Sequence, residues 1–221
     1  MSNFDSDGSP EQEWDDRGEL AWNEFDWERY LREQDEAIHQ YLRLYELSRR
    51  EADRIDAVAR KMGWGQGDLS TEEAHETDDI GTSDDDEVYT LHKNPIFIAT
   101  KAISLGLRRS WESLAADPEC VPQQLAVTLL ASLHHTEEQA THAIHALDFG
   151  DYAMAVSLFK RALSGLNNSL ALLNADGALQ HTAVSAWRED AQPRLFDLRE
   201  IWLRVIAECR DELERPIDDE S

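Results

Sequence analysis

No proline or glycine interrupts residues 20–62, and a stretch that long without a breaker has few ways to fold. Those two residues are the strongest punctuators of regular structure, so their absence leaves periodicity to decide. Written in sevens, the stretch places Leu31, Ile38, Tyr45, Ala52 and Ala59 in one column. Trp27, Gln34, Tyr41, Ser48, Ile55 and Met62 fall in another. Columns alternating three and four residues apart make a single stripe along a helix. Charged residues fill most other positions, as a face turned to water requires. The pattern predicts a long amphipathic helix over 19–63, closed by Gly63, Gly65 and Gly67, since glycine adopts the left-handed cap conformation without strain. Unbroken, it would run roughly 65 Å at 1.5 Å per residue. The second half is less apolar, which makes 48–51 the expected place for a break.

Next comes GQGDLSTEEAHETDDIGTSDDDE, with ten acidic residues and no Lys or Arg. Such a segment cannot bury enough apolar surface to offset its ordering entropy, and it predicts a disordered acidic linker over 64–90. Residues 1–18 and 216–221 read as acidic tails. Between linker and tail, 91–215 is periodic again. Asn94 caps a helix with Pro95 at its first position, and Ile96, Thr100, Ile103, Leu107 and Leu114 line one face. Pro122 opens a second helix reaching about Leu147. The turn DFGD leads into a third, with Tyr152, Ala155, Phe159, Ala162, Leu166, Leu170 and Leu173 inward. A final pair over 178–191 and 194–213 is expected to break or kink at Pro193, with Leu195, Leu198, Trp202, Val205 and Cys209 inward. No segment alternates with period two. The chain reads as all-α, an antiparallel helical bundle of about four helices preceded by a long amphipathic N-terminal helix and an acidic linker.

The formal net charge is −25, from 46 acidic and 21 basic residues. It is uneven: 1–90 holds 27 acidic against 9 basic residues, and 91–221 holds 19 against 12. Such a surface repels nucleic-acid phosphates and anionic lipid heads, so neither is an expected partner. It leaves basic proteins, or proteins that an acidic surface could deceive as a nucleic-acid mimic. No run approaches the roughly 18 apolar residues of a membrane span. The start carries neither a basic nor an apolar signal region. Two distant cysteines, Cys120 and Cys209, fit a reducing cytoplasm.

Four of the eight histidines lie in LHHTEEQATHAIHALDFGD. On one helix, Leu130, Leu133, Glu137, Ala140, Ile144 and Leu147 face the core, and His134, Glu138 and His145 follow such positions by one residue, at the shoulder. His134, Glu138 and His142 are spaced i, i+4, i+8, which can present ligands to zinc or another divalent metal. Together with His145 they form the candidate metal set, with His181 and Asp148 as loose additional donors. A dinuclear carboxylate bundle would need Glu-x-x-His on two core helices. The two copies here, Glu36–His39 and Glu72–His75, fall on the N-terminal helix and in the linker. Arg108, Arg109 and Trp111 read as a solvated basic-aromatic edge. Cys120 stands near a helix start, where a helix N-terminus would lower a thiol pKa, though a structural role is the simpler reading.

GDYAMAVSLFKRAL, residues 150–163, resembles the second helix of a tetratricopeptide repeat. Ala155, Phe159, Ala162 and Leu163 occupy the matching places, and Ala143 matches the small residue of the preceding helix. The resemblance covers a hairpin around 133–165. It departs at Gln139, His142 and Asn167, and no second copy follows, whereas a solenoid needs stacked copies. It implies one repeat-like hairpin. Arg32 and His39 are spaced loosely like the arginine–histidine pair of HEPN-type ribonucleases, with Glu33 after the arginine. In so acidic a segment they read as two separate surface side chains.

Trp14, Trp22, Trp27 and Trp64 lie on or beside the first helix, and dense aromatics on a charged helix often anchor interfaces. The functional expectation is a non-catalytic adaptor or self-associating protein that docks a protein partner, or a second copy, through Trp22, Trp27, Leu31, Ile38, Tyr41 and Tyr45. The first alternative is a metal-binding bundle using His134, Glu138, His142 and His145. The second is an acidic mimic that blocks a nucleic-acid-binding protein.

Overall fold

Asn94 does what its position predicts: its side-chain oxygen accepts from the backbone N–H of Ile96 at 2.8 Å and of Phe97 at 3.3 Å, and Pro95 follows it into the helix. The computed structural model describes residues 22–65, 94–175, 178 and 180–215. These form six helices, and no strand occurs among them. In chain order they are α1 (Glu24–Leu47), α2 (Arg54–Lys61), α3 (Pro95–Ala115), α4 (Gln123–Asp148), α5 (Tyr152–Leu173) and α6 (Thr182–Glu214). None is long and apolar enough to cross a membrane. The expected tails and most of the expected linker lie outside the described residues. The chain divides into two units, Met1–Glu36 and Ala37–Ser221.

In the second unit α3, α4, α5 and α6 make a four-helix bundle. Close backbone approach joins α4 to α5 most extensively, then α5 to α6, α3 to α4 and α3 to α6, which closes the ring. The α4–α5 hairpin turns on Gly150, whose φ of +71° is left-handed. The Asp151 N–H reaches back to the Ala146 carbonyl at 2.9 Å, and the Asp151 side chain then caps α5 by accepting from the Met154 N–H at 2.9 Å. Small residues let the two helices touch. A Cβ on Gly165 of α5 would stand 2.5 Å from the Thr136 hydroxyl of α4. Beside it, Ser132 and Ser169 share a hydrogen bond of 2.8 Å across the crossing. Ala155, Phe159 and Ala162, the residues behind the tetratricopeptide resemblance, are fully buried there.

Three indole N–H groups are satisfied inside the bundle: Trp111 donates to the Ala126 carbonyl (3.0 Å), Trp187 to the Ser110 hydroxyl (2.9 Å) and Trp202 to that of Thr100 (3.2 Å). Buried indoles require such partners. Trp111 therefore belongs to the core and not to a solvated edge. The stripe of α3 simply continues from Leu107 to the residue four further on, although Arg108 and Arg109 flank it.

The N-terminal stretch is helical in two pieces, because α1 ends at Leu47 and α2 begins only at Arg54. The interruption takes in 48–51, the place where the falling apolar content predicts a break. Gly63, at φ +82°, ends α2, and the Trp64 N–H returns to the Ala59 carbonyl at 3.0 Å in the expected glycine cap. The pair of helices expected over 178–191 and 194–213 is corrected to one, because α6 runs through Pro193 without a second start. A proline inside a helix costs about 3 kcal/mol. Here it points to solvent, while Ala191, Leu195 and Leu198 are buried to either side. Burial of residues on both flanks outweighs the local cost.

Candidate functional site

The densest set of charged groups lies between residues 37–62 and α6. On α6, Asp190, Arg194, Asp197, Ile201 and Arg204 are spaced four, three, four and three apart, which sets them in one row along the helix. Each charged member meets an opposite charge from the preceding segment. Arg49 pairs with Asp190, Glu46 with Arg194, Arg54 with Asp197, and Asp56 with Arg204 at 2.6 Å. Signs alternate along both sides, so a shift by one position along the row would set like charges together. Arg194 also holds Asp190 on its own helix at 2.7 Å.

Asp197 is the centre of this seam. It accepts from the Tyr45 hydroxyl at 2.5 Å and from Nε of Arg54 at 2.7 Å, and the Arg54 guanidinium lies 4.1 Å above the Tyr45 ring. Tyr41 stacks on Tyr45 with centroids 6.1 Å apart, and Trp64 on Tyr41 at 5.5 Å. Tyr41 and Tyr45 are 1% and 0% exposed. Burial first, then the Asp197 carboxylate, push both phenols well above the ordinary tyrosine value of 10.0. Arg194 is opposed by burial, but Glu46 and Asp190 outweigh it and hold the guanidinium more firmly protonated than usual. Two polar atoms in the seam, the Tyr41 hydroxyl and Nε of Arg194, are buried without a hydrogen-bond partner. Glycine makes room on the third side, since a Cβ on Gly106 of α3 would lie 2.9 Å from Cδ1 of Leu42 and 3.2 Å from Nη1 of Arg194.

The expected docking residues thus divide. Ile38, Tyr41 and Tyr45 pack into the chain's own hydrophobic core. In the N-terminal unit, Trp22, Trp27 and Tyr30 form an edge-on aromatic cluster, with Trp22 4.8 Å from Trp27 and 5.2 Å from Tyr30. Phe25, Trp27 and Leu31 stay 75%, 50% and 45% exposed.

The expected metal set is carried on α4 as the spacing predicts, but its members stand apart. His134, Glu138, His142 and His145 are all exposed, and the His142 and His145 rings are 6.5 Å apart. The contact Glu138 does make is with His135, at 3.7 Å. Among the described residues no three His, Cys, Asp or Glu side chains gather to hold a metal ion, so neither His181 nor Asp148 completes the set. The pair Glu72–His75 lies outside the described residues. Arg32 is engaged by Glu28 at 2.8 Å, and His39 stands 3.4 Å from Arg109.

Glu137, read from its position as core-facing, is buried and neutralised from α3. Lys101 donates to Oε1 at 2.8 Å, and Nε of Arg108 stands 3.0 Å from Oε2, close enough to attract but not aligned as a hydrogen bond. The Cys120 thiol is pushed up, not down, because it donates to the Asp117 carboxylate at 3.3 Å. Burial pushes Cys209 up to about 11. Both cysteines are free.

Compared with protein-family models, curated proteins and solved structures, the chain matches none. The residues that carry the tetratricopeptide resemblance, Ala155, Phe159 and Ala162, are fully buried, as a close helix crossing demands.

Proposed function

We propose that the protein is a non-catalytic adaptor or self-associating protein of a reducing compartment such as the cytoplasm, docking a protein partner through the beginning of α1. The observation that carries this reading is the exposure of Trp27 and Leu31, with Phe25, on a helix whose neighbouring positions are charged. Exposed aromatics rimmed by charge are what interface hot spots are made of. Two free cysteines and a strongly acidic surface support the compartment and argue against nucleic acid or anionic membrane as partner.

The test compares the full chain with a Trp27→Ala, Leu31→Ala variant. Self-association is followed by light scattering over a concentration series, and partner retention from host lysate at physiological salt. The reading expects the variant to lose the association the wild type shows while keeping its helical content. Equal association by both chains contradicts it, as does a wild type that neither self-associates nor retains a protein.

A further inference from the structure

The seam on α6 differs in kind from the contacts that hold the four bundle helices together. Those helices approach one another closely along their backbones, most of all at the α4–α5 crossing, where Gly165 meets Thr136. Residues 37–62 meet the bundle instead through long side chains: Tyr41, Tyr45 and Ile55 in the core, and four arginine–carboxylate pairs that all end on one helix. Long side chains confer register without interlocking backbones. The docked state also leaves the Tyr41 hydroxyl and Nε of Arg194 without partners, groups that water would satisfy on separation. Asp190, Glu46, Asp56 and Arg204 keep 22%, 41%, 39% and 40% of their side-chain surface, so water already reaches the edge of the seam.

We infer that residues 37–62 are a releasable strap, which separates from α6 as a unit while the four-helix bundle stays folded. The charge row fixes where the strap returns. Release uncovers Ile38, Tyr41 and Tyr45, which continue the heptad columns begun by Trp27 and Leu31. In the closed state the strap therefore withholds half of the apolar stripe from partners, and in the open state it offers the whole of it. That regulatory sense rests on the docking reading above; the release itself does not.

Hydrogen exchange on the full chain separates the two, because it needs no partner. In a denaturant series below global unfolding, amides of 37–62 should share one opening, at least about tenfold more populated than the opening that exposes 123–173. Asp197→Asn, which removes the charge that Arg54 and Tyr45 share, should raise strap exchange at least about tenfold and leave 123–173 unchanged. A single opening common to both regions in the wild type would overturn the inference, and so would a variant in which both regions accelerate equally. If Asp197→Asn does not fold, the wild-type series decides alone. A separable strap in a chain with no partner would refute the docking reading and leave the strap standing.

Discussion

The α4–α5 crossing and the seam along α6 hold helices in register by opposite means. At the crossing, Gly165 brings a backbone to within van der Waals reach of Thr136, and the polar groups are neutral hydroxyls that satisfy one another. At the seam, long side chains bridge the gap and charge sets the alignment. Loss of a charge should therefore wound the second and hardly disturb the first, whose packing is instead sensitive to an added methyl group at Gly165. Dense small-residue packing makes a part that is closed or unfolded. A charged seam makes one that can part and return to the same place.

Among the single substitutions, the largest effect is expected at Asp197. Changing it to Ala strands the Arg54 guanidinium, only 8% exposed, and the Tyr45 hydroxyl. Breaking a buried pair on one side costs about 3–5 kcal/mol, and the partial exposure of Asp197 places this change near about 3. Chemical denaturation measures it; a loss under about 1 kcal/mol would mean that Asp197 does not centre the seam.

Alkali offers a second contrast. Both strap phenols have folded values raised above the ordinary 10.0. Their contribution is fully present below pH 10 and is lost as pH rises beyond it, by up to about 1.4 kcal/mol per pH unit for each phenol. The strap should accordingly open in alkali before the α4–α5 hairpin does. Two of the five tyrosines should ionise late, and together with strap exchange, in a spectrophotometric titration. Five ordinary tyrosines would remove the buried aromatic pair from the account.

At the crossing, Gly165→Ala should cost about 1–2 kcal/mol, because the added methyl presses on Thr136. Alanine is otherwise the better helix former by about 1 kcal/mol. In a Thr136→Ala background the same change should turn neutral or stabilising, and a double-mutant cycle shows it. The smallest effect belongs to Asp56→Ala. It breaks a half-exposed pair with Arg204, worth at most about 1 kcal/mol and fading as salt is added.

What was legible in the sequence follows the same division. The bundle helices announce themselves through local chemistry: the Asn94–Pro95 start, the Gly150 turn, the Ala155–Phe159–Ala162 stripe. Trp111 was legible too, four residues beyond Leu107, but its arginine neighbours pointed the other way. Pro193 misled because a helix breaker is a local signal, and the burial that overrides it is not. The seam carried only half a signal. The spacing of Asp190, Arg194, Asp197 and Arg204 puts them in one row, yet their partners lie 141 to 148 residues away along the chain. Nothing local links Arg54 to Asp197. The heptad stripe showed that Tyr41 and Tyr45 need an apolar cover, but a partner and the chain's own core satisfy that need equally well.

That divided stripe is the centre of the account, and one paired measurement tests it: thermal stability and association together, for Trp27→Ala with Leu31→Ala against Ile38→Ala with Tyr45→Ala. The first pair should abolish association and leave stability within about 0.5 kcal/mol, as substitutions on an open surface do. The second should cost about 3 kcal/mol or more, as removing buried side chains does. A first pair as destabilising as the second, with association intact, would show that the beginning of α1 is core like the rest and that no docking stripe is left free.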